Sequence, residues 1–347
     1  MLLYETAADG TLSVAGVQAP EAALVIPAMQ DGKPVRRILK NSLRELPGVR
    51  SIQIADSVTE IGDFACYASP DLIRVSFSET LTELGDGVFR GCEALQSVHY
   101  AAPQGNFYAL RALLTEPEPA FRCELKLSDG EAELYFPSFL NEFDEDTMAR
   151  AIHPRIEGCG YAFRECVTRR SIDFYQYDRQ FARAAAAERE PACRIAIGRL
   201  RYPYRLSEAR REEYRAYLAA ESETAAELAF RDYEASRDRA RLVATMTWLR
   251  REQLLSGDAR RFALEEAGKA SSQSSARNSC RAGNRDRART FRSEENRTMS
   301  GNREALEAAS EKIWNYTVTE LGLALPFLRG AFFLLSPQLD LRIQNIG

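Results

Sequence analysis

Apolar residues recur along the first hundred positions with a period of 23. Stepping back from Leu95 leads to Leu72 and Val49, from Val98 to Val75 and Ile52, and from Tyr100 to Phe77 and Ile54. Leu81 maps onto Val58 and Val35, Leu84 onto Ile61 and Ile38, and Gly85 onto Gly62. Within one unit, Leu72, Val75 and Phe77 predict a strand, and Leu81 and Leu84 turn inward. Gly85 or Gly87 then permits a tight bend, and Asp86–Cys92 predicts a short helix before Leu95 opens the next strand. About five inward side chains per unit, each worth roughly 1.5–3 kcal/mol when buried, do not offset roughly 1.5 kcal/mol of ordering per residue. One unit is therefore unstable alone, whereas stacked units share a continuous apolar column.

Self-similarity at 20–29 residues marks a leucine-rich-repeat solenoid of strand plus turn or short helix. The units resemble the BspA-type leucine-rich repeats, which read roughly as a strand, then V-x-x-I-G, then A-F-x-x-C-x-x-L. Val58, Ile61, Gly62, Ala65 and Leu72 carry the likeness in one unit, and Leu81, Leu84, Gly85, Phe89, Cys92 and Leu95 in the next. Ser69 stands where the following unit has Cys92, so the cysteine is not obligatory. An earlier unit, with Ile26, Pro27, Val35 and Ile38, has about five extra residues near Gln30–Pro34. The resemblance covers about residues 20–100 and implies a recognition surface instead of a chemical centre.

Beyond Tyr100 the period stops. Ala109–Thr115 predicts a short helix closing the stack, and Phe121–Leu127 and Glu131–Tyr135 predict a hairpin around Asp129-Gly130. Helices are predicted at Asn141–Ile152, Ser171–Glu188 and Cys193–Leu200, then at Ser207–Ala220, Ser222–Tyr233, Ser236–Leu249 and Glu252–Gly268. The expected fold is α+β: a short N-terminal leucine-rich-repeat β-solenoid (1–105), a mixed strand-helix module (106–204) and a C-terminal helical region (205–268), followed by 269–298 and 299–347. Ser271–Met299 is rich in Ser, Asn and Arg without aliphatic periodicity, and reads either as a flexible basic linker or as a slipped reading frame. Leu321–Leu335 is apolar over fifteen residues, short of the roughly 20 needed to cross a bilayer. Trp314–Leu328 is similar to the opening of metallopeptidases that carry a von Willebrand-factor-A-like domain. The order of modules also resembles cytoplasmic leucine-rich-repeat proteins of Gram-positive bacteria.

A formal charge of −4 gives no reason to expect nucleic acid or an anionic membrane as partner. The arginines between 277 and 297 follow the general excess of Arg over Lys. Met1–Glu5 begins no secretory signal, and seven cysteines without C-x-x-C spacing point to reduced thiols in a cytoplasm. Only two histidines occur. His99 alternates outward on a repeat strand, and His153 precedes Pro154 at a predicted helix end. With no paired His/Cys spacing, no metal or cofactor is expected. Gly158-Cys159-Gly160 completes no phosphate-binding motif and reads as a loop; Cys159 or Cys166 would need His153 as a base to act as a nucleophile. The acidic run Asn141–Asp146 lacks the EF-hand glycine and suits a helix N-terminus. The expected function is a non-enzymatic scaffold that binds another protein through outward strand residues Gln53, Arg74, Ser76, Gln96, Ser97 and His99. The alternative, implied by the C-terminal resemblance, is an adaptor for a von Willebrand-factor-A-like metallopeptidase worked by an ATPase of the MoxR type.

Overall fold

Residues 23 apart lie side by side in the folded chain: Ile52 pairs with Val75, and Val75 with Val98, on adjacent parallel strands. The structure, a computed structural model, describes residues 1–116, 118–146, 151–263 and 266. It divides into two units, Met1–Leu255 and Ser256–Gly347, and in the second the described residues 257–263 are helical. The expectations for 269–298 and 299–347, including the metallopeptidase-like opening, lie outside the described residues.

The first strands are β1 (Leu2–Thr6), β2 (Leu12–Val17), β3 (Ala23–Ile26), β4 (Met29–Gln30) and β5 (Lys33–Ile38). They are followed by β6 (Ser51–Ile54), β7 (Glu60–Ile61), β8 (Arg74–Ser78), β9 (Glu83–Leu84) and β10 (Ser97–Ala102). After helix α1 (Tyr108–Leu113) come β11 (Phe121–Leu127) and β12 (Glu131–Phe136). One sheet runs β1-β2-β5-β7-β9, with β4 also on β5; the other runs β12-β11-β10-β8-β6-β3. A coil is one strand from each sheet joined by turns. In the coil from β6 onward Ile52, Ile54, Val58, Ile61, Ala65, Cys66 and Leu72 all point into the core.

The stacking continues past residue 105, because β11 pairs parallel with β10 and sets Cys123 beside Val98. The β-solenoid spans residues 12–127 in about five turns. That rung is spaced 25 residues from its neighbour, so it escapes a search at 23. The extra residues of the early unit form a tight β4–β5 hairpin whose tip, Asp31-Gly32, takes positive φ at both positions.

The expected helix at Asp86–Cys92 is instead a run of turns. Each coil places two residues in the left-handed region, at Asn41, Phe64 and Gly87 and again at Glu45, Ala68 and Gly91, which no α-helix accommodates. Only Gly87 of the two proposed bend glycines has positive φ. Gly85 serves close approach: a Cβ there would lie 2.4 Å from the Asp63 backbone nitrogen. Ser69 and Cys92 are equivalent because each donates to a carbonyl of the preceding coil, Leu43 and Cys66 respectively. At the far end of the coil segments Glu116 accepts from Gly87 N–H and from Arg90, while α1 packs beside β9.

The predicted helix Asn141–Ile152 is a hairpin, β13 (Leu140–Asp146) against β14 (Ala151–Glu157). Helix propensity is a weak prior, and the seven-pair ladder satisfies the backbone in its place. The helices are α2 (Gly160–Arg164), α3 (Phe174–Arg179), α4 (Phe181–Ala187), α5 (Arg189–Arg201), α6 (Glu208–Ala220), α7 (Ser222–Ser236) and α8 (Arg239–Arg251). Ser207 caps α6 as expected, accepting from Arg210 N–H. The start of α8 moves to Arg239 because Arg237 is left-handed and Asp238 is the cap. The single helix expected over Ser171–Glu188 is two, α3 and α4, and Glu252–Gln253 is a turn.

α5 is the centre of this layer, packing on β12, α4, α6 and α7. Arg199 of α5 is fully buried and makes a two-nitrogen contact with Asp178 at 2.7 and 3.0 Å; the Tyr214 hydroxyl donates to the same carboxylate. Arg164 is also buried and donates to the carbonyls of Pro137, Glu116 and Pro119.

Candidate binding face of the sheet

Side chains of a strand alternate between faces, so the parallel register lines up outward residues in rows across the coils. Val25, Gln53, Ser76, His99, Glu124 and Glu133 form one row across all six strands. Ala23, Ser51, Arg74, Ser97, Arg122 and Tyr135 form the next. Five of the six predicted contact residues thus fall on two adjacent rows, and Gln96 immediately precedes β10.

The rows differ along their length. Gln53 is exposed and Ser76 half-buried, but Ser97 is fully buried and Arg122 nearly so. The cover is the chain's own helical layer. Arg50 donates to the Ala235 carbonyl at 2.7 Å, and Arg74 reaches Asp238 at 2.8 Å. Arg241 of α8 grips Glu133 with 2.8 and 2.9 Å contacts and Glu124 at 3.1 Å. Arg122 donates to Glu124 at 3.1 Å, and Arg194 lies 2.7 Å from Asp232. The predicted contact residues therefore divide: Gln53 and Ser76 remain open, while Arg74 and Ser97 belong to an internal interface.

Sequence reasoning missed Arg122, Glu124, Glu133, Asp238 and Arg241. Arg122 and Glu124 alternate along β11, which marks two outward charges, but their partners in the helical layer, Asp232 and Arg241, are over a hundred residues away.

His99 stands at the margin. Its Nδ1 is 3.1 Å from Glu124 Oε2. Burial lowers its pKa, the attraction of Glu124 opposes this, and the nearby Arg74, Arg122 and Arg241 lower it further, so the imidazole is neutral at pH 7. Burial raises Glu124, but His99, Arg122 and Arg241 outweigh it and hold the carboxyl below its usual range. Between the open and covered parts lies a groove of about 590 Å³, lined among others by Gln53, Ser76, His99, Glu124, Lys126 and Tyr202.

The remaining chemical candidates are held structurally. Cys159 is buried, and its thiol is pushed up to about 11 by burial and by Glu188. A Cβ at Gly160 would sit 2.2 Å from the Pro137 carbonyl oxygen, and Gly158 has φ +88, so the Gly-Cys-Gly turn needs both glycines for its shape. His153 belongs to β14 instead of a helix end. Among the described residues no three His, Cys, Asp or Glu side chains are grouped to hold a metal ion, and no helix is long and apolar enough to cross a membrane.

Residues 29–107 match the model of the BspA type leucine rich repeat region in six copies. No curated protein matches the chain. Among solved structures it is similar to a leucine rich cell surface protein of Faecalibacterium prausnitzii A2-165, with 29% identity over 29% of this chain and 27% of that one, at a TM-score of 0.25. It is also similar to a leucine-rich repeat protein of Bacteroides ovatus ATCC 8483, with 24% identity over 29% of this chain and 30% of that one, at a TM-score of 0.26. The chain spans less than a third of the length of either. With six repeat copies, a register of parallel rungs and an inward column of aliphatic residues, residues 29–107 are a leucine-rich repeat region of the BspA type.

Proposed function

We propose that this chain is a protein-interaction scaffold without chemistry of its own, and that it meets its partner on the open part of the outward sheet face. Stacked repeats act generally through extended binding surfaces. The observation that carries the reading is the polar row through Gln53, Ser76 and His99, which opens on the 590 Å³ groove, while the last two residues of the row, Glu124 and Glu133, line the same groove and are held by Arg241. The partner is a protein, set against a groove edge bearing Asp56, Lys126 and Glu131. The six described cysteines are buried and unpaired, which supports work in a reducing compartment such as the cytoplasm.

A photo-crosslinking residue at Gln53 tests the assignment, with one at exposed Glu93 as control. The expected result is a partner adduct from position 53 alone, lost when Ser76→Arg narrows the groove. Equal capture from both positions, or capture unaffected by Ser76→Arg, overturns it.

A further inference from the structure

The dipeptide Asp-Gly occurs four times in the chain, at Asp9-Gly10, Asp31-Gly32, Asp86-Gly87 and Asp129-Gly130. Glycine has no Cβ to hold its peptide nitrogen away from the preceding carboxyl, so the pair is prone to ring closure wherever both groups are free. The fold ties up three of the four. Asp9 accepts from the Thr11 hydroxyl and N–H at 2.6 and 3.0 Å, and Gly10 N–H donates to the Ala7 carbonyl. Gly87 is buried, and its N–H donates to Glu116. The Tyr204 hydroxyl donates to Asp129 at 2.7 Å while its ring lies against Gly130. These hydrogen bonds hold the Asp9 and Asp129 carboxyls below their ordinary range, whereas closure proceeds from the protonated acid. At the tip of the β4–β5 hairpin the Gly32 N–H has no partner among the described residues, and a Cβ there would touch nothing within 4 Å. The exposed Asp31 carboxyl accepts, among the described residues, from its neighbour Gln30 alone, at 3.1 Å.

We propose that Asp31-Gly32 isomerises spontaneously to isoaspartate in the folded chain, ahead of the other three pairs. The Gly32 nitrogen attacks Asp31 Cγ, and the new N–Cγ bond closes a five-membered succinimide. The carboxyl hydroxyl leaves as water, taking the proton from nitrogen. Water then adds back at either ring carbonyl. Opening at the former backbone carbonyl breaks its bond to nitrogen and leaves the chain running through Cγ, an isoaspartyl link of unchanged mass. The tip has the freedom this needs. β4 and β5 meet through the pairs Met29–Pro34 and Gln30–Lys33, and none of residues 27–34 is buried. A two-stranded hairpin by itself is marginal, so the tip opens without the coils and lets the nitrogen swing onto the carboxyl. The product inserts a methylene into a two-residue loop whose length sets the hairpin register. Ala28, at the root of the hairpin, lines the 590 Å³ groove, so the change falls at the groove's edge, although its chemistry does not depend on what binds there.

Incubation of the full chain near neutral pH in heavy-oxygen water, followed by digestion and mass spectrometry, tests this, with fragment spectra placing the label. The expected result is a solvent oxygen and an isoaspartyl link at position 31, in larger yield than at positions 9, 86 and 129 combined. The chain unfolded in guanidinium chloride should react at all four positions to similar extents, because the selectivity comes from the fold. Asp31→Glu, whose longer side chain would have to close a six-membered ring, should abolish the product at 31 and leave the other three positions unchanged. Accumulation at 9, 86 or 129 equal to that at 31 in the folded chain overturns the proposal. So does a folded chain left unchanged at 31 over a time in which the unfolded chain has reacted.

Discussion

Two halves of one sheet face, built from the same repeat, end in opposite environments. In the half that carries Gln53 the outward residues meet water, and their polar character needs no partner. In the half that carries Ser97, Arg122 and Glu133 they are buried, and Arg122, Glu124 and Glu133 each meet an opposite charge from the helical layer. The repeat specifies which side chains leave the core. It does not specify what they meet outside it. A polar outward row is therefore no guide to a docking surface until the rest of the chain has been placed against it.

Substitutions at matched positions of the two halves should break the comparison most visibly at Glu133. Its side chain is 4% exposed and paired with Arg241, so Glu133→Ala leaves the arginine buried without its main counter-charge. Loss of one partner from such a pair costs about 3–5 kcal/mol, read as a lowered midpoint in urea with an unchanged slope. A smaller effect is expected at Asp238, which caps α8 through Arg241 N–H and also holds Arg74. Asp238→Ala should cost about 1–2 kcal/mol and raise amide exchange in the first turn of α8 while the β8–β10 ladder stays protected.

Acid sharpens the contrast from another side. His99 is held neutral in the folded chain, so as the pH falls below its ordinary value of 6.5 the unfolded chain takes up the proton first and stability declines. Glu124 and Asp238, both held below their ordinary values, continue the decline as the pH falls into the carboxylate range and through their folded values. His99→Gln should remove the first part of the decline and leave the second, as measured by melting temperature between pH 7 and pH 4. An unchanged profile would separate His99 from the interface. The smallest effect belongs to the open half: Gln53→Ala should change stability by no more than about 0.5 kcal/mol, whatever it does to partner binding.

The coils were readable because each inward residue is repeated at one spacing and checked by its neighbours. Leu72, Val75 and Phe77 predicted a strand and its core face, and the pairing of Val75 with Ile52 and Val98 follows from the period. The misreadings share one origin. The Asp86–Cys92 segment looked helical although Gly87 and Gly91 take left-handed φ in it, because the equivalent positions one coil earlier are Phe64 and Ala68, and the repeat therefore marks them with no single residue type. At 140–157 a helical reading of acidic and apolar residues lost to a strand ladder, since a ladder's partner lies across the hairpin and not along the segment. On the candidate face, alternation alone placed Gln53, Arg74, Ser76 and Ser97 outward, but it did not show that Ser97 is buried or that the half-buried Arg74 is paired with Asp238.

The sequence by itself determined the stack, because local alternation and a fixed period decide which side chains enter a column only neighbouring coils can complete. Only the tertiary structure decided how much of the outer face stays free. Arg74 meets Asp238 across 164 residues of chain and Arg241 meets Glu124 across 117. Contacts at such separations leave no periodic trace, since a single charged residue satisfies its partner from anywhere in the chain that folding brings within reach.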